Sequence, residues 1–291
     1  DEVWTVSRGA GENLRSLGYQ GEYLVMPNGV DFPCGRVSEQ EVEAATAAAQ
    51  LPSNVPLFLF VGRLMWYKGI RIILDALRML QEQGIAFRMV LIGKGGDEAE
   101  ILAYVQKLGL ASVVSLLGPI YDRQVLRAWY CRADAFLFPS TFDTNGLVVH
   151  EAAACALPSV LVRGSCAAED VADGRNGFLI EENAESMAKT LKTLCAAPQQ
   201  MKQVGHAAQH ELYLSWEDAL KQAVARYQVV VERYAAGKYP PKEPISPELY
   251  RPIAEIVDAY HRMRKKQKEL WQEISSNYAA WRSGSLQGEE K

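Results

Sequence analysis

The chain has 291 residues, of which 48% are apolar, 9% aromatic and 23% charged. That is enough for a core that folds unaided, and too apolar for a disordered protein. Thirty-one basic side chains against thirty-five acidic ones leave a formal charge of −4, which excludes the basic footprint of a dedicated nucleic-acid binder. No apolar run reaches the roughly 18 residues that cross a bilayer, and the opening residues carry no signal-peptide pattern. The five cysteines, Cys34, Cys131, Cys155, Cys166 and Cys195, are odd in number and never form a C-x-x-C pair. They read as reduced thiols of a cytoplasmic protein, with neither a disulfide framework nor a zinc site.

In chain order, Val3–Val6 reads as a strand, Arg8–Leu17 as a helix and Glu22–Met26 as a second strand. The chain opens on Asp1 in the middle of this pattern, so an excerpt from a longer protein is expected, with residues 1–26 belonging to a neighbouring unit. PNGVDF, from Pro27 to Phe32, is a turn-rich connector. Short apolar runs of strand length then recur at Leu57–Val61, Phe87–Ile92, Val113–Leu117, Ala135–Phe138, Ser159–Val162 and Gly177–Ile180. Helical spacing separates them, as in Ile70, Ile73, Leu74, Leu77 and Leu80, or Ile101, Leu102, Val105 and Leu108. Apolar strands without alternation belong to a sheet buried on both faces. The alternation with helices predicts an α/β fold built on a doubly wound, Rossmann-like parallel sheet over residues 27–212. Ligands of such sheets bind at the C-terminal strand edge. Residues 213–291 read as a helical extension: a helix over Trp216–Tyr234, a proline-rich break, and a last helix from Pro247 to Trp281 carrying the basic stretch Arg262–Lys268. A basic helix can touch anionic lipid, but a solvated helix face is the favoured reading of this stretch.

Chemistry is concentrated at the predicted strand ends. PSTFDTNGLVVHEAAACALP, from Pro139 to Pro158, leaves a strand and enters a helix near Gly146. Asp143, Thr144 and Asn145 are N-capping residue types, and the free amides and dipole of a helix start form an anion site. Gly146 lets a phosphate approach the backbone. Glu151 lies one turn below Leu147 in an otherwise apolar helix, where a carboxylate needs donors. Ribose hydroxyls could supply them. Equally, Asp143 could merely cap the helix while Glu151 pairs with a nearby arginine. Within VGRLMWYKG, Arg63 and Lys68 follow a strand and suit a diphosphate, unless they are simply solvated surface charges. IGKGGD, Ile92–Asp97, is neither a dinucleotide fingerprint nor a Walker loop; its glycines make a tight turn or touch phosphate. Cys166 reads as a small packed thiol rather than a nucleophile, and His150 as a structural neighbour of Glu151.

Taken together, PNGVD, FVGRLMWYKG, VLIGKGG, LG at Leu117–Gly118, ADAFLFPS, the D-x7-E spacing from Asp143 to Glu151, EAAACALPSV and DGRNGFLI resemble the group-one (family four) retaining glycosyltransferases of the GT-B fold. The resemblance covers roughly residues 1–212 and points to the C-terminal, donor-binding domain. FDTNGLVVHEAAA also resembles the bacterial transferases that glucosylate diacylglycerol. The resemblance implies that residues 1–26 are a remnant of the N-terminal domain and 27–212 the nucleotide-sugar-binding domain. It implies that Gly62, Arg63 and Lys68 bind the donor diphosphate, that Asp143 approaches the donor sugar, and that the backbone at Asn145, Gly146 and Leu147 holds phosphate and sugar oxygens. Glu151 would hold the ribose, and Gly118 and Tyr121 would flank the base. Arg63, Lys68 and Asp143 would carry catalysis, Asp143 standing where the family usually has a glutamate. No metal or other cofactor is implied. The donor would be UDP-glucose-like, the acceptor a lipid or saccharide, and a chain without its N-terminal domain would transfer sugar poorly. A binding or scaffolding module without transfer activity is the alternative reading.

Overall fold

A computed structural model describes residues 2–52, 54–239, 252 and 255–267. The opening residues form β1 (Val3–Thr5), α1 (Arg8–Ser16) and β2 (Tyr23–Val25), with β1 and β2 paired in parallel as a sheet of their own. The connector leads to α2 (Glu39–Thr46), started by a capping box in which Ser38 and Glu41 exchange hydrogen bonds. The main domain then alternates β3 (Leu57–Val61), α3 (Ile70–Glu82), β4 (Arg88–Ile92), α4 (Glu98–Lys107), β5 (Val114–Leu116), α5 (Arg123–Arg132), β6 (Ala135–Phe138), α6 (Leu147–Ala154), β7 (Ser159–Val162) and β8 (Phe178–Ile180). Helices α7 (Ala184–Ala196), α8 (Pro198–Glu211) and α9 (Trp216–Ala235) follow.

The main sheet is parallel and six-stranded, in the order β5-β4-β3-β6-β7-β8. Every residue of β3, β6 and β7 is buried, as a sheet covered on both faces requires. Helix α3 turns Ile70, Ile73, Leu74, Ala76, Leu77 and Leu80 inward, each large one stabilising the fold by about 1.5–3 kcal/mol. The doubly wound expectation is met. The chain winds outward from β3 through β4 to β5, then returns across to β6, so β3 and β6 are neighbours whose following loops diverge. That divergence opens a crevice at the sheet's C-terminal edge.

The boundary expected at residue 212 lies instead at Ala236: the compact unit runs from the start of the chain through α9, and a second runs over 237–291. The reason is visible in the contacts. Val30 N–H donates to the Leu214 carbonyl at 3.0 Å, the Trp4 and Tyr227 rings lie 4.9 Å apart, and Arg226 grips Glu2 through Nε at 2.7 Å. That grip holds the Glu2 carboxyl down at about 2, well below the usual carboxylate range. Residues 2–26 therefore pack onto the main domain while keeping a separate sheet. In the second unit, residues 255–267 are helical and exposed; the remainder of the expected last helix, Lys268 included, lies outside the described residues.

The IGKGGD loop serves packing. Gly93 has φ +141, and a Cβ there would overlap the Gly62 carbonyl oxygen, while Leu64 N–H donates to the Lys94 carbonyl and Trp66 N–H to Asp97 Oδ2 at 2.7 Å. These glycines let the ends of β3 and β4 close on one another in the expected tight turn. Gly93→Ala combines backbone strain with a steric overlap and should lower stability by about 3 kcal/mol, read as a shift in the urea unfolding midpoint; an unchanged midpoint would contradict this packing role.

Candidate functional site

The crevice between β3 and β6 is bridged by one ion pair. Lys68 Nζ lies 2.7 Å from Asp143 Oδ1 and 2.8 Å from Oδ2. Lys68 is buried, its ammonium 5.7 Å from the Phe138 ring centroid and 5.4 Å from that of Tyr67. It comes from the short 3-10 turn Trp66–Lys68 that precedes α3, and Asp143 from the loop after β6. Neither of the simple readings fits: Lys68 is no solvated surface charge, and Asp143 caps no helix. Helix α6 starts at Gly146, whose φ of +62 places it in the left-handed region and which offers no side-chain cap. A Cβ at Gly146 would meet the Ala167 Cβ at 2.7 Å, so glycine is demanded by packing as well as by any approaching ligand. The first amides of α6 are thereby left without a side-chain cap, at the positive end of the helix.

Asn145 is also buried, and among the described residues its Nδ2 has no hydrogen-bond partner. A buried donor without a partner is uncommon and calls for an explanation. Asn145 lines a cavity of about 80 Å³ together with Ser7, Arg8, His150 and Glu169. Arg63, one residue beyond Gly62, is exposed, with its guanidinium 5.7 Å from the Tyr67 ring centroid. Gly118 sits in the left-handed region at φ +72 and accepts from Gly93 N–H at 2.9 Å. Tyr121 and Leu147 are exposed. Gly62, Arg63, Lys68, Gly118, Asp143, Asn145, Gly146 and Leu147 thus all lie in loops or turns following β3, β5 or β6, or at the start of α6, at the C-terminal edge.

Glu151 follows the arginine alternative. Arg123 Nη2 donates to its Oε1 at 2.8 Å, and the Tyr130 hydroxyl donates to its Oε2 at 3.0 Å. Glu151 is buried and Tyr130 fully so; burial and the neighbouring carboxylate push the Tyr130 phenol well above its ordinary range, so it stays a donor. Neither Arg123 nor Tyr130 was singled out from the sequence. The signal available was an arginine directly after Asp122, an N-capping residue type that accepts from Gln124 N–H at 2.8 Å. His150 is spoken for, with Nδ1 2.7 Å from the Leu212 carbonyl oxygen. The Cys166 thiol is pushed up by burial, the opposite of what a nucleophile needs.

The family model described as glycosyl transferases group 1 matches residues 42–211. The chain belongs to the group 1 glycosyltransferases. Among curated relatives, the D-inositol 3-phosphate glycosyltransferase 2 of Catenulispora acidiphila is 30% identical over 242 residues, covering 79% of this chain and 56% of that protein. The D-inositol 3-phosphate glycosyltransferase of Segniliparus rotundus is 30% identical over 71% of this chain and 47% of its own. The chain spans about half the length of these relatives. In fold it is similar to Anabaena Alr3699/HepE, solved in complex with UDP and glucose, at a TM-score of 0.70 and 22% identity over 78% of this chain and 63% of that one. It is also similar to the sucrose-phosphate synthase of Thermosynechococcus elongatus, at 0.69 and 24% over 80% and 59%. The C-terminal domain of a group 1 glycosyl transferase (LpcC) from Francisella tularensis aligns over 93% of its own length and 61% of this glycosyltransferase chain, with a TM-score of 0.53 and 20% identity. The fold is accordingly the GT-B arrangement.

Because Lys68 is almost fully buried, removing Asp143 leaves an ammonium without its counter-charge. Lys68→Met and Asp143→Leu should each destabilise the domain by about 3 kcal/mol, with the double variant recovering part of the loss. Chemical denaturation of the four proteins measures this; additive losses would show that the pair is not energetically coupled.

Proposed function

We propose that this domain binds the nucleotide-sugar donor, of the UDP-glucose type, in a retaining transfer to an acceptor hydroxyl. The observation that supports it best is the buried Lys68 ammonium held against Asp143 across the crevice, with the uncapped start of α6 three residues beyond Asp143. A diphosphate brings the acceptor oxygens and the negative charge that this set is built to meet. That relatives in fold are solved with UDP is in keeping with it.

On this reading, Lys68 exchanges Asp143 for a diphosphate oxygen. Asp143 is then released towards the sugar hydroxyls, its shorter side chain drawing the sugar closer than a glutamate would. Arg63 closes over the diphosphate from the exposed side, and Glu151 accepts from the ribose. As the glycosidic bond breaks, negative charge grows on the leaving diphosphate. Lys68, Arg63 and the α6 amides are already placed to stabilise it, which is how a site lowers a barrier without reorganising. The same three elements do the charge-neutralising work that a metal does elsewhere, so we propose metal-independent binding. Gly118 and Tyr121 flank the base. On this proposal the acceptor contacts lie outside this chain, which spans about half the length of its relatives, so it should bind donor yet turn over poorly.

Thermal unfolding with UDP, ADP, GDP and their sugars, with and without magnesium, tests the reading. A ligand at about a hundredfold over its Kd should add about 2.7 kcal/mol of stability, without a magnesium requirement. Lys68→Ala and Arg63→Ala should each weaken that ligand by about tenfold or more, as loss of a charge-assisted contact does. Stabilisation by none of the nucleotides would overturn the proposal, whereas binding by the full-length protein without transfer would select the scaffolding alternative.

A further inference from the structure

The reading above gives Glu151 a ligand but leaves unexplained why its carboxylate is already engaged. Both oxygens are held from the same helix: Arg123, the first residue of α5, donates to Oε1 at 2.8 Å, and Tyr130, two turns on, donates to Oε2 at 3.0 Å. Spaced seven apart, the two side chains fall on one face of α5. The holders are themselves braced. Phe32, from the PNGVDF connector, is buried with its ring centroid 4.3 Å from the Arg123 guanidinium and 5.5 Å, edge-on, from the Tyr130 ring. Asp31 Oδ2 stands 3.9 Å from the same Arg123 nitrogen. The guanidinium is thus fixed over an aromatic face rather than free to follow solvent.

A carboxylate offers about four acceptor positions over its two oxygens. The structure occupies one on each oxygen, both from α5, and so fixes the plane of the group. By that count one acceptor position per oxygen remains for a partner with two donors. A vicinal diol supplies two adjacent O–H donors with that geometry; a deoxyribose or a lone hydroxyl does not. An unheld carboxylate at the same place would have to lose side-chain freedom when the ligand arrived, and the free protein would bear the cost of burying its charge.

We propose that Arg123 and Tyr130 are positioning residues that hold the Glu151 carboxylate oriented for a vicinal diol, making the site selective for ribonucleotides over deoxyribonucleotides. This rests on the reading that Glu151 accepts from the ribose. Phe32 makes the PNGVDF connector part of the same device, since it supports both holders at once.

The test is isothermal titration of the 291-residue chain with UDP, 2′,3′-dideoxy-UDP and inorganic pyrophosphate. The unaltered protein should prefer UDP over the dideoxy form by about tenfold, the value of one or two charge-assisted hydrogen bonds. Arg123→Gln and Tyr130→Phe should each reduce that preference to about threefold or less while leaving pyrophosphate affinity unchanged. Arg123→Gln sits at a half-exposed position, so it keeps the test available if Tyr130→Phe fails to fold. Variants that retain the full preference, or that lose pyrophosphate and UDP affinity in parallel, would show a merely structural role and overturn the proposal. An unaltered protein without the preference, or a Glu151→Gln variant that keeps it, would instead remove the ribose reading on which the proposal stands.

Discussion

Everything at the candidate site depends on charges being held across the gap between β3 and β6. The two strands are hydrogen-bonded neighbours, yet the chain leaves β3 toward one side of the sheet and leaves β6 toward the other. Their following loops therefore have no reason to touch. Lys68 and Asp143, 75 residues apart in sequence, close that gap with a two-point contact. An ammonium buried beside aromatic rings needs a counter-charge, and the loop after β6 provides one. The crevice is thereby kept in a defined shape, with a cation on one side that has already been stripped of most of its water.

The second carboxylate of the D-x7-E spacing is handled on the same principle from a different direction. Glu151 is balanced by Arg123 on α5, whereas Asp143 is balanced by the turn before α3. The two pairs differ in what they leave available. Both oxygens of Asp143 face a single ammonium that a phosphate can claim, so Asp143 can be released by exchange. Glu151 is gripped by a guanidinium and a buried phenol on separate oxygens and has no such release, so it can act only by extending its existing hydrogen bonding to a ligand. One carboxylate is suited to change partners, the other to stay still.

The strands and most of the helical faces were legible because a doubly covered parallel sheet writes itself as continuous apolar runs. Leu57–Val61, Ala135–Phe138 and Ser159–Val162 are strands over the expected residues, and the remaining runs lose only their end residues. Glu151 stood out as a charge in an apolar helix, and the structure places it in the interior. Its partner could not be found by the same logic. Arg123 is one arginine among many and becomes special only when α5 is laid against α6, a matter of sheet order rather than of local pattern. The capping alternative for Asp143 fails for the opposite reason. Asp-Thr-Asn before a helix is a strong local capping signal, but the cap position itself is Gly146, a glycine in a left-handed conformation packed against Ala167. The extent of the unit was also hidden, because the contacts of β1 with α9 join the two ends of a stretch of more than 200 residues.

Those end-to-end contacts bear on the site. The Ser7 hydroxyl, which caps α1, also donates to the Thr144 carbonyl, and Thr144 stands between Asp143 and Asn145. The neighbouring amides of Arg8 and Gly9 donate to Glu169, at 2.8 and 2.5 Å, just beyond the turn carrying Ala167, against which Gly146 packs. The loop that offers Asp143 and Asn145 is therefore held from two sides, by Lys68 across the crevice and by the start of α1. A displacement of β1 and α1 would pull on the Thr144 carbonyl directly. Because the anchor is a backbone atom in the middle of the loop after β6, such a displacement would move the Asp143 carboxylate and the Asn145 amide together, changing the spacing between the buried ammonium and the start of α6 without breaking the sheet that supports them.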